Sequence, residues 1–190
     1  MAYLTQEALE EMGFKQLGKD VLLSDKASIY NPESIEIGDY SRIDDFCVLT
    51  GKIRIGRNVH VTIYCNIEGG TEGIHLDDFS GLAYRCTVIS QTDDYSGRSM
   101  TNPTVPEQYK KESKQAVYIG RHCIVGTNSL IMPGVNLAEG TSVGAMSMVT
   151  KSTEPWSVYF GIPAKKLKNR KQDLLELEKQ FLAEEASGLT

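Results

Sequence analysis

The chain has 190 residues, the size of one ordinary domain, with enough apolar content to bury a core of its own. Its 20 basic and 25 acidic residues leave a net charge of -5. That excludes a general attraction for nucleic acid or an anionic membrane, and leaves small molecules or further copies of the chain as partners. The first residues carry no basic stretch followed by an apolar one, and no apolar run approaches membrane-spanning length, so a soluble, cytoplasmic protein is expected.

At the N-terminus, Thr5 stands as an N-cap with Glu7 in the first turn and Leu4 placed to staple against Leu9. This predicts a short helix through Met12 within a cap of residues 1–16, although Ala8 sits where a full capping box carries Glu or Gln. From Leu17 the pattern changes to aliphatic residues six apart: Leu17, Leu23, Ile29 and Ile35, then Ile37, Ile43, Leu49, Ile55, Val61 and Ile67. After a three-residue slip follow Leu76, Leu82 and Val88. Residues 90–116 interrupt the repeat, which resumes at Ile119, Val125, Ile131, Leu137, Val143 and Val149.

Period six is not helical, because 3.6 residues per turn would scatter these aliphatics around a helix. Four places after most of them comes a small or β-branched residue, such as Ser41, Cys47, Val59, Cys65, Thr71, Cys123, Ser129 or Ser147. Two inward positions per hexad describe short strands turning at corners, with Gly38, Gly56, Gly120, Gly126 and Gly144 where a side chain would crowd the turn. Three hexads close one triangular coil. Each coil buries its apolar face only against its neighbours, so the stack needs caps and tends to oligomerise. The expected fold is all-β, a parallel β-helix over residues 17–168 with an extended loop at about 90–116. Leu174, Leu177, Phe181 and Leu182 then predict an amphipathic helix within 169–190, covering the last coil or a neighbouring subunit.

Cys47, Cys65, Cys86 and Cys123 each fall four residues after an aliphatic position, which makes them small inward residues of a reduced interior. No C-x-x-C spacing is present to suggest a metal or redox role.

The segment Val117–Val135, with its P-G-V turn, then G-A-M-S-M-V-T-K ending at Lys151 and G-I-P-A-K ending at Lys165, resembles the C-terminal half of the hexapeptide-repeat acyltransferases. The resemblance spans about residues 17–168 and implies a left-handed β-helix, a homotrimer with active sites between subunits, and acetyl-CoA or another acyl-CoA as co-substrate, without a metal. Carried across by position, backbone near Gly126, Ala145 and Ser147 would meet the pantetheine, and Lys151, Ala164, Lys165 and Lys168 would lie near the nucleotide end. The concentration of Lys165, Lys166, Lys168, Arg170 and Lys171 suits a 3′-phosphate and a pyrophosphate.

The sugar O-acetyltransferases of this family use a histidine after the middle coils as general base; here that place holds Thr92, Asp93 and Asp94. A sugar hydroxyl needs a positioned base, whereas an amine needs only to lose its extra proton. The block D-F-S-G-L-A-Y ending at Tyr84, with S-Q-T-D-D-Y-S-G from Ser90 and M-T-N-P from Met100, is most similar to the nucleotide-linked 4-amino-4,6-dideoxyhexose N-acyltransferases that modify a dTDP-sugar for O-antigen synthesis. Candidates for handling the amine are Asp93 and Asp94, with Asn66, Ser80 and Ser90 as hydrogen-bond partners and Tyr84 or Tyr95 as a stacking surface. His60, between Val59 and Val61, should point outward and is the alternative base; His75 and His122 are expected to be solvated. O-acetylation of a sugar remains the rival within the class. A metal enzyme would need all three histidines on one ion, and a non-catalytic scaffold would not need the two C-terminal motifs.

Overall fold

The computed structural model describes residues 2–188 as a left-handed parallel β-helix of about seven coils with a helix at each end. Its prism has three faces. The first stacks Leu22–Leu23, Arg42–Ile43, His60–Val61, Gly81–Leu82, Ile124–Val125 and Ser142–Val143 in parallel register. The second stacks Ser28–Tyr30, Thr87–Ile89, Leu130–Ile131 and Met148–Val149, and the third Gln16–Leu17, Ile35–Ile37, Val117–Ile119 and Asn136–Leu137. Two longer strands, Val48–Ile55 and Asn66–Leu76, run around the edge between the second and third faces. Arg42 opposite His60, and Ile124 opposite Ser142, each show a coil of three hexads.

The hexad aliphatics line the interior: Ile37, Ile43, Leu49, Val61, Ile67 and Leu137 are fully buried. Each such side chain contributes about 1.5–3 kcal/mol, and a one-residue slip would turn the whole ladder outward. The expected inward set fails at Thr71, which is exposed. Three extra residues bow out of the Asn66–Leu76 strand there, Gly70 pairs with Gly51, and Ile74 takes the buried place beside Ile53.

The glycines after the aliphatics do serve close packing: a Cβ on Gly126 would lie 2.5 Å from the Ala145 nitrogen of the next coil. The left-handed backbone, however, falls two residues further on and mostly on side chains that are not glycine. Tyr40, Asn58, Phe79, His122 and Trp156 hold positive φ along one edge, and Phe46, Tyr64, Arg85, Asn128 and Met146 along another. Such residues cost about 1–2 kcal/mol each. Stacking offsets part of that, with Phe46 on Tyr64 at 5.0 Å and Phe79 on His122 at 5.5 Å between ring centroids.

At the N-terminus α1, Gln6–Glu11, begins at Thr5, whose hydroxyl accepts the Ala8 N–H, and it buries Leu9 against the first coil. At the other end the chain forms a hairpin that the hexad pattern did not predict: Ser157–Gly161 continues the first face and Ala164–Asn169 returns antiparallel. Then α2, Leu174–Ala186, reaches back along the prism instead of covering the last coil. Phe181 meets Phe79 edge-on, and Glu178 pairs with Arg121 and His122. The loop leaves the second face through a neck in which Gln91–Thr92 pairs antiparallel with Ser113–Lys114.

Candidate active site

Between the first face and α2 lies an open groove of about 600 Å³, its floor formed by His60, Gly81, Leu82, Ala83 and Ile124 and its wall by Leu177 and Phe181. His60 points outward, as its position between two inward-facing valines requires. Its Nε2 lies 2.8 Å from Oδ2 of Asp44, one coil away. Asp44 is only 2% exposed, and its other oxygen accepts the Arg42 Nε–H at 2.6 Å and faces the Tyr3 hydroxyl at 3.5 Å. Sequence reading missed Asp44. Its only signal was an acidic residue directly after an inward Ile43, where other first-face coils carry Thr62, Ala83, Gly126 and Gly144.

Ser80 lines this groove but sits at the inward small position of its hexad; it is buried, and its hydroxyl has no hydrogen-bond partner among the described residues. Ser90 is also buried, donating to the Glu68 carbonyl. Asn66 donates to the Glu68 carboxylate at 2.6 Å, and its own buried Oδ1 has no partner among the described residues. Tyr84 is exposed at the edge between the first and second faces.

The two adjacent aspartates are in different states. Asp94 accepts from the Ser96 N–H at 2.8 Å, the Ser96 hydroxyl at 2.9 Å and the Ser99 hydroxyl at 3.0 Å, bonds that hold its carboxyl below the usual range. It is a turn-former. Among the described residues Asp93 accepts only from the Asn102 N–H, at 3.3 and 3.4 Å. Both, with the 89% exposed Tyr95, line a separate recess of about 530 Å³ within the loop, shared with Arg98 and Lys111. Within one chain, then, His60 and the aspartates do not share a cavity.

The coils carrying Gly126, Ala145 and Ser147 follow His60 down the prism. Ala145 is exposed, whereas Ser147 is buried and accepts the Gly161 N–H at 3.0 Å. Lys151, Lys165 and Lys168 are exposed and have no acidic partner among the described residues, and Ala164 packs on the core at the start of the returning strand. Two other members of the basic run are already engaged. Lys166 pairs with Glu154 at 2.7 Å, and Arg170 donates to the carbonyls of His122 at 2.7 Å and Gly140 at 3.0 Å.

His122 corrects the expectation of a solvated ring. It is buried between Phe79 and Trp156 with Nε2 on Glu178, and burial pushes its pKa down. His75 is half-buried and stacks on Tyr118 on the third face. His60 and His122 line the same groove with different carboxylate partners, His75 lies on another face, and among the described residues no group of His, Cys, Asp and Glu could hold a metal ion. All four cysteines are buried and free; burial raises the Cys123 thiol to about 11.

No protein-family model matches the sequence. The dTDP-4-amino-4,6-dideoxy-D-glucose acyltransferase of Escherichia coli is 42% identical over 184 residues, 95% of each chain. AntD, an N-acyltransferase from Bacillus cereus, has been solved as a single-substitution mutant with dTDP-4-amino-4,6-dideoxyglucose and coenzyme A. It superimposes with a TM-score of 0.95 at 46% identity, covering 96% of this chain and 98% of that one. AntD with dTDP and 3-hydroxybutyryl-CoA gives a TM-score of 0.95 at 44% identity, over 97% and 98% of the two chains.

Proposed function

The chain belongs to the hexapeptide-repeat acyltransferase family, beside the dTDP-4-amino-4,6-dideoxyglucose N-acyltransferases, and from that premise we propose that it moves a short acyl group from acyl-CoA to the amino group of a dTDP-linked 4-amino-4,6-dideoxyhexose. The product would serve cytoplasmic synthesis of an O-antigen or other surface polysaccharide. The observation that carries this reading is the end-to-end match to enzymes of that activity, running through both the CoA coils and the loop with its two aspartates.

The acyl-CoA lies along the last coils, with pantetheine against backbone at Gly126, Ala145 and Ser147 and with Lys151, Ala164, Lys165 and Lys168 toward its phosphates. Of the loop aspartates, Asp93 orients the amine, because Asp94 has spent its oxygens on Ser96 and Ser99. The working unit is a homotrimer in which the loop of one subunit closes the groove of the next. One feature supports this: the lining of the groove includes none of residues 90–116.

The test is thiol release from acetyl-CoA and from 3-hydroxybutyryl-CoA, with dTDP-4-amino-4,6-dideoxyglucose and with a simple galactoside as acceptors. Turnover of the amino sugar alone is expected. Turnover of the galactoside alone would overturn the proposal in favour of O-acetylation.

A further inference from the structure

We infer that the groove holds the acyl chain of the donor, and that it takes a linear, apolar chain of about four to six carbons, matched to the roughly 7 Å that two strand residues span. The inference rests on the acyl-transfer reading above, with pantetheine on the coil of Gly126. Its basis is the pattern of side chains on the first face, where each coil carries two outward positions with one inward residue between them. Going down the stack, these are His60 with Thr62, Gly81 with Ala83, and Ile124 with Gly126. The middle coil presents nothing larger than one methyl group, and so forms a trough between the His60 ring and the Ile124 side chain. A Cβ added at Gly81 would meet only the His60 carbonyl oxygen, at 3.6 Å, so the space above the backbone there is open.

The trough starts where the thioester lies. Gly81 and Leu82 pair with Ile124 and Val125, which sets Ala83 beside Gly126 at one strand spacing, about 4.8 Å. A chain leaving the thioester crosses Ala83 and Gly81 with Ile124 on one side and His60, pinned to Asp44, on the other, and it ends against Leu177 and Phe181 of α2. Ile124 and Leu177 are exposed, so a chain between them covers apolar surface that otherwise faces water. The charged side chains that line the groove are engaged elsewhere: Glu178 with Arg121 and His122, and Arg170 with the carbonyls of His122 and Gly140. Among the described lining residues no unengaged charge is left for the diphosphate of the acceptor, which favours the acyl chain over the nucleotide as occupant. The sugar amine approaches from the side of Tyr84 and attacks the thioester carbonyl carbon. The C–N bond forms, the C–S bond breaks, and the proton shed by nitrogen goes to the departing CoA thiolate.

The experiment uses the intact enzyme and two readouts. Calorimetric titration with acetyl-, butyryl- and hexanoyl-CoA, without acceptor, should show affinity rising about three- to fourfold for each methylene buried, or about tenfold from acetyl to butyryl. Butyryl-CoA that binds no tighter than acetyl-CoA overturns the inference, whatever the acceptor proves to be. With dTDP-4-amino-4,6-dideoxyglucose as acceptor, kcat/KM should favour butyryl-CoA over acetyl-CoA in wild type, because binding shared by the ground and transition states raises that ratio. Gly81→Val fills the trough and should erase this preference. Ile124→Ala deepens it and should shift the preference from butyryl toward hexanoyl, and it carries the test should the Gly81 variant fail to fold. A Gly81→Val enzyme that keeps the acyl preference and instead raises KM for the amino sugar gives the trough to the acceptor and overturns the inference. Wild type that binds butyryl-CoA more tightly yet acylates no amino sugar defeats the acceptor reading and leaves the acyl site standing.

Discussion

Arg57 and Glu185 stand 128 residues apart in the chain, and one guanidinium nitrogen donates to both carboxylate oxygens at 2.7 Å. This tie, the Glu178 pairs and the Phe181 contact hold α2 along the prism, so one wall of the groove depends on residues at the far end of the sequence.

The Arg57 bond holds the Glu185 carboxyl below the usual range. A depressed carboxylate pKa means that the stabilisation is present above the ordinary value of about 4.3 and is lost as pH falls through the lower folded value. Hydrogen exchange in α2 should rise several-fold in Arg57→Met at neutral pH, with the coils unaffected. Wild type should approach the variant's exchange pattern only at strongly acidic pH. Unchanged exchange in the variant would show that Phe181 and Glu178 hold the helix alone.

Asp93 and Asp94 should separate by phenotype. Asp93→Asn is expected to lower kcat with the loop intact. Asp94→Ala removes three acceptor contacts and should loosen the loop, seen as faster proteolysis between Asp93 and Tyr109. The reverse pattern would move the amine to Asp94.

If the groove and its covering loop come from different subunits, two impaired variants can complement one another. Co-expressed Asp93→Asn and His60→Gln chains, mixing at random in trimers, would carry both intact residues at roughly a quarter of the sites. Recovered activity of that order is expected. None would place both residues on one subunit's site.

Gly126 and Gly81 offer a packing test in the same face. Gly126→Ala drives a Cβ to 2.5 Å from the Ala145 nitrogen, whereas in Gly81→Ala the nearest atom is the His60 carbonyl oxygen at 3.6 Å. The first should cost about 1–3 kcal/mol, lowering Tm by several degrees, and should weaken CoA binding. The second should leave Tm within about a degree or two.

Lys165 and Lys168 have no acidic partner among the described residues, unlike Lys166. Replacing both with Ala should raise KM for acetyl-CoA about tenfold with little change in kcat, and the effect should shrink with dephospho-CoA or at high salt. An equal rise for both forms of CoA would move the contact from the 3′-phosphate to the pyrophosphate.

The amino-acid sequence by itself determined the prism. A hexad of aliphatics is a local code: each residue's direction follows from its place in the repeat, so Ile37, Ile43 and Val61 could be placed inside and His60 outside without reference to any other coil. The loop was legible as a break in the period. What only the tertiary structure decided are relationships between residues far apart in the chain. Asp44 joins His60 because one coil stacks on the next, and the buried state of His122 depends on α2 returning over it. A hydrogen bond to a distant partner leaves no period in a sequence, and in this molecule such bonds fix the surroundings of His60 and His122.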